Sequence, residues 1–384
     1  MRIVHVCLRF DSPGGVETTV REVARRQKAA GDDVHVFASD LVDEARWVRA
    51  SEFRTEVEGV PVRRFPARRE PLPHLSLPIL VGLVDALAES GADVVHAHSH
   101  RYGHVLQAAA VARRRGIPFV VSTHYHPADR WEPRWKKALL RSEDLLFGAY
   151  AYRAARALVV ESDVEGRLVS EFAPRDLVRV VPPGIDLAEW ASPADDLGAR
   201  PGLPNRYVLF VGRIAANKGL PTLLEALARL PPDSRPALVL MGPPWGEGAA
   251  LDARAHELGL SSSLCWLGEV RDRRAYRATV RGAEALVLPS AWEAFGLVLL
   301  EAMAARVPIV ASAVGAVPEV LEGGRAGRLV PYGDAEALAR ALRDVVADPT
   351  TTARAVEYGA SRVRSYDWAR TVERLRDVYR AAAS

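Results

Sequence analysis

Short apolar runs rich in Val, Leu and Ile alternate along the chain with stretches whose apolar residues fall at helical spacing. The first half holds "RIVHVCL", "DVHVFA", "DVVHAH", "PFVVSTH", "ALVVES" and "VRVVPPG". The second holds "YVLFVGR", "PALVLMG", "LCWLGEV", "ALVLPS" and "PIVAS". Strands alternating with helices predict parallel sheets covered by helices, an α/β fold. The segment "PPGIDLAEWASPADDLGARPGLPN" breaks the rhythm with Pro, Gly and Asp and reads as a linker. A helical pattern closes the sequence from Ser365 to Ala381, with apolar positions at Trp368, Val372, Leu375, Val378 and Tyr379.

At 384 residues the chain exceeds what one core usually supports, so two domains are expected, 1–184 and 185–364. A net charge of +3 gives no argument for nucleic acid as a partner. Two cysteines, Cys7 and Cys265, fall in strand-like runs of different halves, which fits a reducing compartment better than a disulfide framework. The opening "MRIVHVCLRF" reads as a strand and not as a signal peptide. The richest apolar stretch, "LSLPILVGLVDALA", is short of a membrane span and is broken by Pro78, Gly82 and Asp85. A cytoplasmic protein is expected, with contact at the inner face of a membrane left open.

Parallel sheets bind ligands at the carboxyl ends of their strands, where helices begin and their amides point outward. After "YVLFV" comes "GRIAANKG", Gly212 to Gly219, whose spacing is not that of a Walker loop. Arg213 offers a planar fork for phosphate oxygens and Lys218 a flexible point charge; two solvated basic side chains is the plainer alternative. After "ALVLPS" comes "AWEAFGLVLLEAMAA", where a helix should start near Gly296 and run to Ala305. Amides around Phe295, Gly296 and Leu297 would then form an anion site. Glu293 precedes that helix, and Glu301 sits in its second turn, where a carboxylate can accept from both hydroxyls of a vicinal diol. Eight helical residues rise about 12 Å, too far for the roughly 5–9.5 Å of a glycosidase pair. The two acids therefore suit binding along an extended ligand, or ordinary places beside a helix start.

In the first half, Pro13-Gly14-Gly15 follows the first strand and opens an amphipathic helix; the amides of Gly14 and Gly15 could meet a diphosphate. Histidines cluster in "HAHSHRYGH" and "STHYH". Alternation puts His96, His98 and His100 on one face if the strand continues, which raises a zinc site. The metallohydrolase pattern H-x-H-x-D-H is not met, and no D-x-D triplet exists to hold a metal on a diphosphate, so no metal and no cofactor are expected. His124, at the end of "FVVST", is the better candidate for the ligand side.

Taken together these residues resemble the retaining nucleotide-sugar glycosyltransferases of family 4, with the GT-B fold of two Rossmann-like, doubly wound domains facing across a cleft. The resemblance spans essentially the whole chain and rests on Gly14-Gly15, His124, the hinge "VPPGID", "GRIAANKG" and the E-x7-E segment from Glu293 to Glu301. It implies that Arg213 and Lys218 hold the donor diphosphate, Glu293 the donor sugar and Glu301 the ribose. The amides of Phe295, Gly296 and Leu297 would face sugar and phosphate, and His124 would lie near the transferred sugar. The first domain would bind the acceptor, the second the nucleotide sugar, and residues 365–384 would form a helix crossing back to the first domain. Transfer of a hexose-type sugar with retained configuration and no metal follows from the same resemblance. Pro183 stands where the family often has Asn, which removes any contact made by that amide.

The acceptor is expected to be a glycan, a lipid-linked molecule or a small molecule. "VRRFPARRE" (Val62 to Glu70) and "WEPRWKKALLRSEDLLFGAY" (Trp131 to Tyr150) mix basic, aromatic and aliphatic residues. The mixture suits a membrane interface, and equally an amphipathic helix packed on its own domain. A sugar-nucleotide epimerase of the same fold, a non-catalytic nucleotide-sugar-binding protein and a zinc-dependent hydrolase are the rival readings.

Overall fold

The computed structural model describes residues 1–12, 14–43, 47–68, 78–128, 132–192 and 203–384. Pro13 of the glycine turn, Arg69 and Glu70, Trp131, and residues 193–202 of the expected linker lie outside them. The chain forms two compact units, Met1–Gly184 with Trp368–Ser384, and Ile185–Asp367.

The first unit is built on eight strands: β1 (Arg2–Cys7), β2 (Asp33–Ser39), β3 (Arg54–Val57), β4 (Val60–Phe65), β5 (Val94–His98), β6 (Phe119–Ser122), β7 (Ala157–Val160) and β8 (Val178–Val180). Their order is β8-β7-β6-β5-β1-β2-β4-β3, parallel except for the antiparallel pair of β3 and β4. Alternate residues of β1 feed different cores. Val4 and Val6 pack with Val105, Ala108 and Ala109 of helix α2 (Gly103–Arg115), whereas Ile3 and Cys7 pack with Val20 and Val23 of α1 (Gly15–Ala29). Two further helices matter below, α3 (Arg134–Ala151) and α4 (Asp163–Val169).

The second unit carries β9 (Tyr207–Val211), β10 (Ala237–Met241), β11 (Leu264–Gly268), β12 (Ala285–Leu288), β13 (Ile309–Ser312) and β14 (Arg328–Val330), in the order β11-β10-β9-β12-β13-β14 and all parallel. Its helices include α5 (Leu220–Ala228), α6 (Arg273–Arg281) and α7 (Leu297–Ala305). The final helix, α8 (Trp368–Ala383), belongs to the first unit, where Trp368, Leu375, Val378 and Tyr379 join the core of α1.

Among the parallel strands of each sheet the order reverses once, between β1 and β5 in the first unit and between β9 and β12 in the second. In open parallel sheets the connections at such a reversal leave toward opposite faces, and ligands bind where the loops part. The loops carrying Arg213, Lys218 and Glu293 follow β9 and β12, on either side of that reversal.

Every strand expected from the apolar runs is present, and of the strands in the two main sheets three were not legible among the described residues. Strand β3, "RTEV", is half-exposed and without an apolar run, β4 includes Pro61 and two arginines, and β14 is only "RLV". The expected linker is in part folded. Asp186 caps a short helix, Leu187–Ala191, by accepting from the Glu189 amide at 3.0 Å, and Trp190 is buried in the second unit's core. A buried indole outweighs the loop-like composition around it. Both cysteines are free. No helix among the described residues is long and apolar enough to cross a membrane.

Candidate functional site

The second unit brings its four charged candidates to the reversal in the sheet. Lys218 Nζ donates to Glu293 Oε1 at 2.6 Å, and each side chain is less than one-fifth exposed. Their loops are clamped by backbone contact. Ala291 N donates to Asn217 O at 2.8 Å, and Ala316 N donates to Glu293 O at 3.1 Å. Gly219 and Gly315 permit this approach: both have positive φ, and a Cβ on either would lie 2.0 Å from a carbonyl oxygen, of Pro289 or of Glu293. Only glycine fits there.

Helix α7 starts immediately beyond, capped by Gly296 at φ 87°. A helix's first amides lack partners within the helix, so this end is positive and donor-rich. The Phe295 side chain is buried against Tyr366, which leaves only its backbone for a ligand. Leu297 is the first residue of α7 and is half-buried.

Glu301 accepts from the Tyr276 hydroxyl on Oε2, and Arg273 Nη1 lies 3.8 Å from its Oε1. Burial raises its carboxyl above the ordinary value, while Arg273 and Tyr276 act in the opposite direction. Arg273 is itself held by both oxygens of Glu189, at 2.8 and 2.9 Å. Arg213 is exposed, with its guanidinium over the Trp245 ring at 5.0 Å, a cation–π contact that limits where the fork can point.

In the first unit, Gly14 caps α1, but the Glu17 carboxylate lies over it: a Cβ on Gly14 would sit 2.1 Å from Glu17 Oε2. Glu17 pairs with Arg9 at 2.7 Å. The amide of Gly14 therefore shares its space with a carboxylate. Gly15 has open space around it.

His124 follows β6 at φ 42°, in the left-handed region that side chains rarely adopt. Its Nδ1 lies 3.1 Å from Glu161 Oε1, the side chain is 5% exposed, and Nε2 has no partner among the described residues.

The three histidines expected on one face part company. Ser99 and Arg101 take positive φ and turn the chain, so His100 leaves for Tyr152 (2.6 Å) and Asp144 (2.7 Å). His96 and His98 meet His5 of β1 instead, with ring nitrogens within 4.8 Å of one another. This is the group among the described residues whose spacing would suit an ion. Five of its six ring nitrogens are already engaged, and the sixth, His98 Nδ1, is buried without a partner among the described residues. The Tyr379 hydroxyl accepts from Gln27 Nε2 (3.2 Å) and donates to His96 Nδ1 (2.6 Å), so His96 Nε2–H donates to Ser122 (2.8 Å). His5 Nε2–H donates to Gln27 Oε1 (2.8 Å), leaving its Nδ1 to accept from His98 Nε2 (3.0 Å). These proton positions follow from the network as a whole. Burial pushes His5 down to about 4 and His96 and His98 well below their ordinary values, as the all-neutral arrangement requires. The cluster is a neutral hydrogen-bonded file inside the core, and His96 has no free lone pair for a metal.

Residues 13–189 match the family described as Glycosyltransferase Family 4, and residues 200–362 match Glycosyl transferases group 1. A D-inositol 3-phosphate glycosyltransferase of Nocardiopsis dassonvillei is 33% identical, over 97% of this chain and 90% of the relative. The chain belongs to glycosyltransferase family 4.

The glycosyltransferase is also 31% identical to a phosphatidyl-myo-inositol mannosyltransferase of Mycobacterium leprae, over 100% of this chain and 98% of that one. Two solved structures show the fold. Sucrose-phosphate synthase of Thermosynechococcus elongatus has a TM-score of 0.80 at 23% identity, covering 99% of this chain and 98% of its own. HepE of Anabaena, solved with UDP and glucose, has a TM-score of 0.80 at 21% identity, covering 98% of each chain. The glycosyltransferase thus has the GT-B fold, each unit on its own parallel sheet.

Several neighbours of the expected residues were not found from sequence: Trp245 under Arg213, Tyr276 and Arg273 on Glu301, and Glu161 on His124. Only Glu161 left a usable signal, as an acid directly after the buried strand "ALVV". The others approach from loops and a helix whose place along the sheet no local pattern encodes.

Proposed function

We propose that this glycosyltransferase moves a hexose-type sugar from a nucleoside-diphosphate sugar to an acceptor hydroxyl, with the anomeric configuration retained and without a metal. The observation that carries the reading is the convergence of Lys218, Glu293 and the start of α7, with Glu301 one turn further on. A diphosphate suits Arg213, Lys218 and the first amides of α7. Glu301 accepts from the ribose diol. Glu293 gives up its bond from Lys218 and takes a sugar hydroxyl, so the donor inserts into an ion pair that already has the right charges. In the first unit, the Gly15 amide adds to diphosphate binding, the Gly14 amide does so once the Glu17 carboxylate gives way, and His124 meets the transferred sugar.

As the bond from C1 to the diphosphate oxygen breaks, negative charge grows on the leaving group, where cations and helix amides are already oriented. The acceptor hydroxyl attacks on the leaving-group face, and a phosphate oxygen takes its proton as the new C1–O bond forms. A structural neighbour solved with UDP-glucose supports a uridine nucleotide donor. The names of the relatives support a phosphorylated inositol or an inositol lipid as acceptor. For the lipid, α3 offers Trp135, Leu139, Leu145, Leu146 and Tyr150 exposed beside Arg134, Lys136 and Lys137.

A thermal-shift screen of UDP, GDP and ADP sugars tests the donor site, since a ligand of the folded state raises apparent stability by mass action. A uridine nucleotide sugar should raise the melting temperature, and Arg213→Ala and Glu301→Ala should each abolish the rise. If both variants respond as the unsubstituted protein does, the donor lies elsewhere.

A further inference from the structure

His124 and Glu161 end neighbouring parallel strands: β6 and β7 pair with Ser122 opposite Val159, and each residue stands just past its strand. One buried carboxylate fixes both. Glu165, in the first turn of α4, accepts from Tyr125 N and Glu161 N, each at 2.7 Å, and from the Thr123 hydroxyl. It therefore holds the residues on both sides of His124, Thr123 by its side chain and Tyr125 by its backbone, and the backbone of Glu161 itself. The His98 ring stacks on the imidazole at 5.8 Å between centroids and 25° between planes, which limits rotation of the ring. Nδ1 then points at Glu161 Oε1, and the only unspent polar atom of the side chain is Nε2, buried and without a partner among the described residues. A buried polar atom left bare costs free energy unless something arrives to meet it.

We propose that Glu161 is a positioning residue for the transfer: its carboxylate accepts from His124 Nδ1–H and so aims Nε2 at the transferred sugar, to which the imidazolium form donates a hydrogen bond. This rests on the reading of His124 given under Proposed function, but the Glu161–His124 pair has a readout of its own.

The charges around the imidazole agree with a donor at both nitrogens. Burial works against its charge, yet Glu161, then Glu165 of α4 and Glu17 of α1, outweigh burial and raise His124 above its ordinary value. His96 and His98 of β5, whose charged forms His124 would disfavour, are both held neutral by burial. A group raised in this way is charged below its midpoint and loses the Nε2 proton as pH rises through it.

Histidine-selective nitrogen-15 labelling and an NMR titration of the imidazoles test the pair without any substrate, with His124→Gln assigning the resonance. The expected result is a His124 midpoint above 6.5, falling about tenfold in proton affinity in Glu161→Gln, which keeps an acceptor oxygen but removes the charge. In a transfer assay the alkaline limb of the rate should move to lower pH in the same variant. A His124 midpoint unchanged by Glu161→Gln, or an alkaline limb that stays in place, overturns the inference. Should that variant not fold, a wild-type His124 midpoint at or below 6.5 overturns it equally. Failure of every nucleotide sugar to bind or react, with the NMR shift observed, would instead defeat the transfer reading and leave the pair standing.

Discussion

Glu301 sits in the second turn of α7 with the Tyr276 hydroxyl on one oxygen and Arg273 3.8 Å from the other. Desolvation raises its carboxyl and these two partners keep the charged form within reach. Only the carboxylate can accept from both hydroxyls of a ribose. Binding of UDP should therefore weaken as pH falls through the raised value. Tyr276→Phe removes a bond that favours the charged form, so it should move that loss to higher pH and weaken binding near neutrality by about tenfold, the order of one hydrogen bond to a charged group. Isothermal titration of UDP across pH, with both proteins, reads this directly. A Tyr276→Phe curve that overlays the wild-type curve would remove Glu301 from the nucleotide. Lys218 and Glu293 illustrate the same point at shorter range: without ligand each satisfies the other, so a ligand gains only the difference between its own contacts and theirs.

At the level of elements, the ends of strands flanking each reversal do most of the positioning. The sequence made β9 and β12 legible, because each is a short apolar run followed by a glycine-bearing turn, and α7, because an apolar run follows Gly296. It made Glu293 and Glu301 legible for the same reason, since their spacing lies within one element and its cap. Helix α3 is a different case. Its buried residues, Asp144, Phe147, Gly148 and Ala151, crowd toward its C-terminal end, while Trp135, Leu139, Leu145, Leu146 and Tyr150 remain exposed. Packing on its own unit therefore accounts for only part of the amphipathic pattern. If the remainder meets lipid, the protein should float with liposomes containing anionic phospholipid at low salt, and Trp135→Ser with Leu146→Ser should leave it in the pellet fraction. Equal flotation of the two proteins would clear α3 of any such role.

At the scale of the whole molecule, the proposed chemistry rests on cations, helix amides and carboxylates supplied by the chain. Transfer should therefore persist in EDTA, and proton NMR of the product at early times should show the donor's anomeric configuration. Loss of activity in EDTA that returns with a divalent cation would call for a metal on the diphosphate. A product of opposite configuration would exclude attack on the leaving-group face. The neutral histidine file of His5, His96 and His98 is where whole-fold information mattered most. Alternation correctly placed His96 and His98 together, but only the pairing of β1 with β5 set His5 opposite His96, and only α8 supplied Tyr379 to fix their protons.

What the sequence determined by itself was everything written in local periodicity: most strands, the amphipathic helices, the turns before α1 and α7, and the candidate residues that lie on those turns. What only the tertiary structure decided was which side chains meet: Glu161 with His124, Tyr276 and Arg273 with Glu301, Trp245 with Arg213, and the departure of His100 from its neighbours. The physical reason is that periodicity records which face of an element is buried. Partners across a sheet or between loops depend on strand order and register, which arise from the summed packing of the whole core.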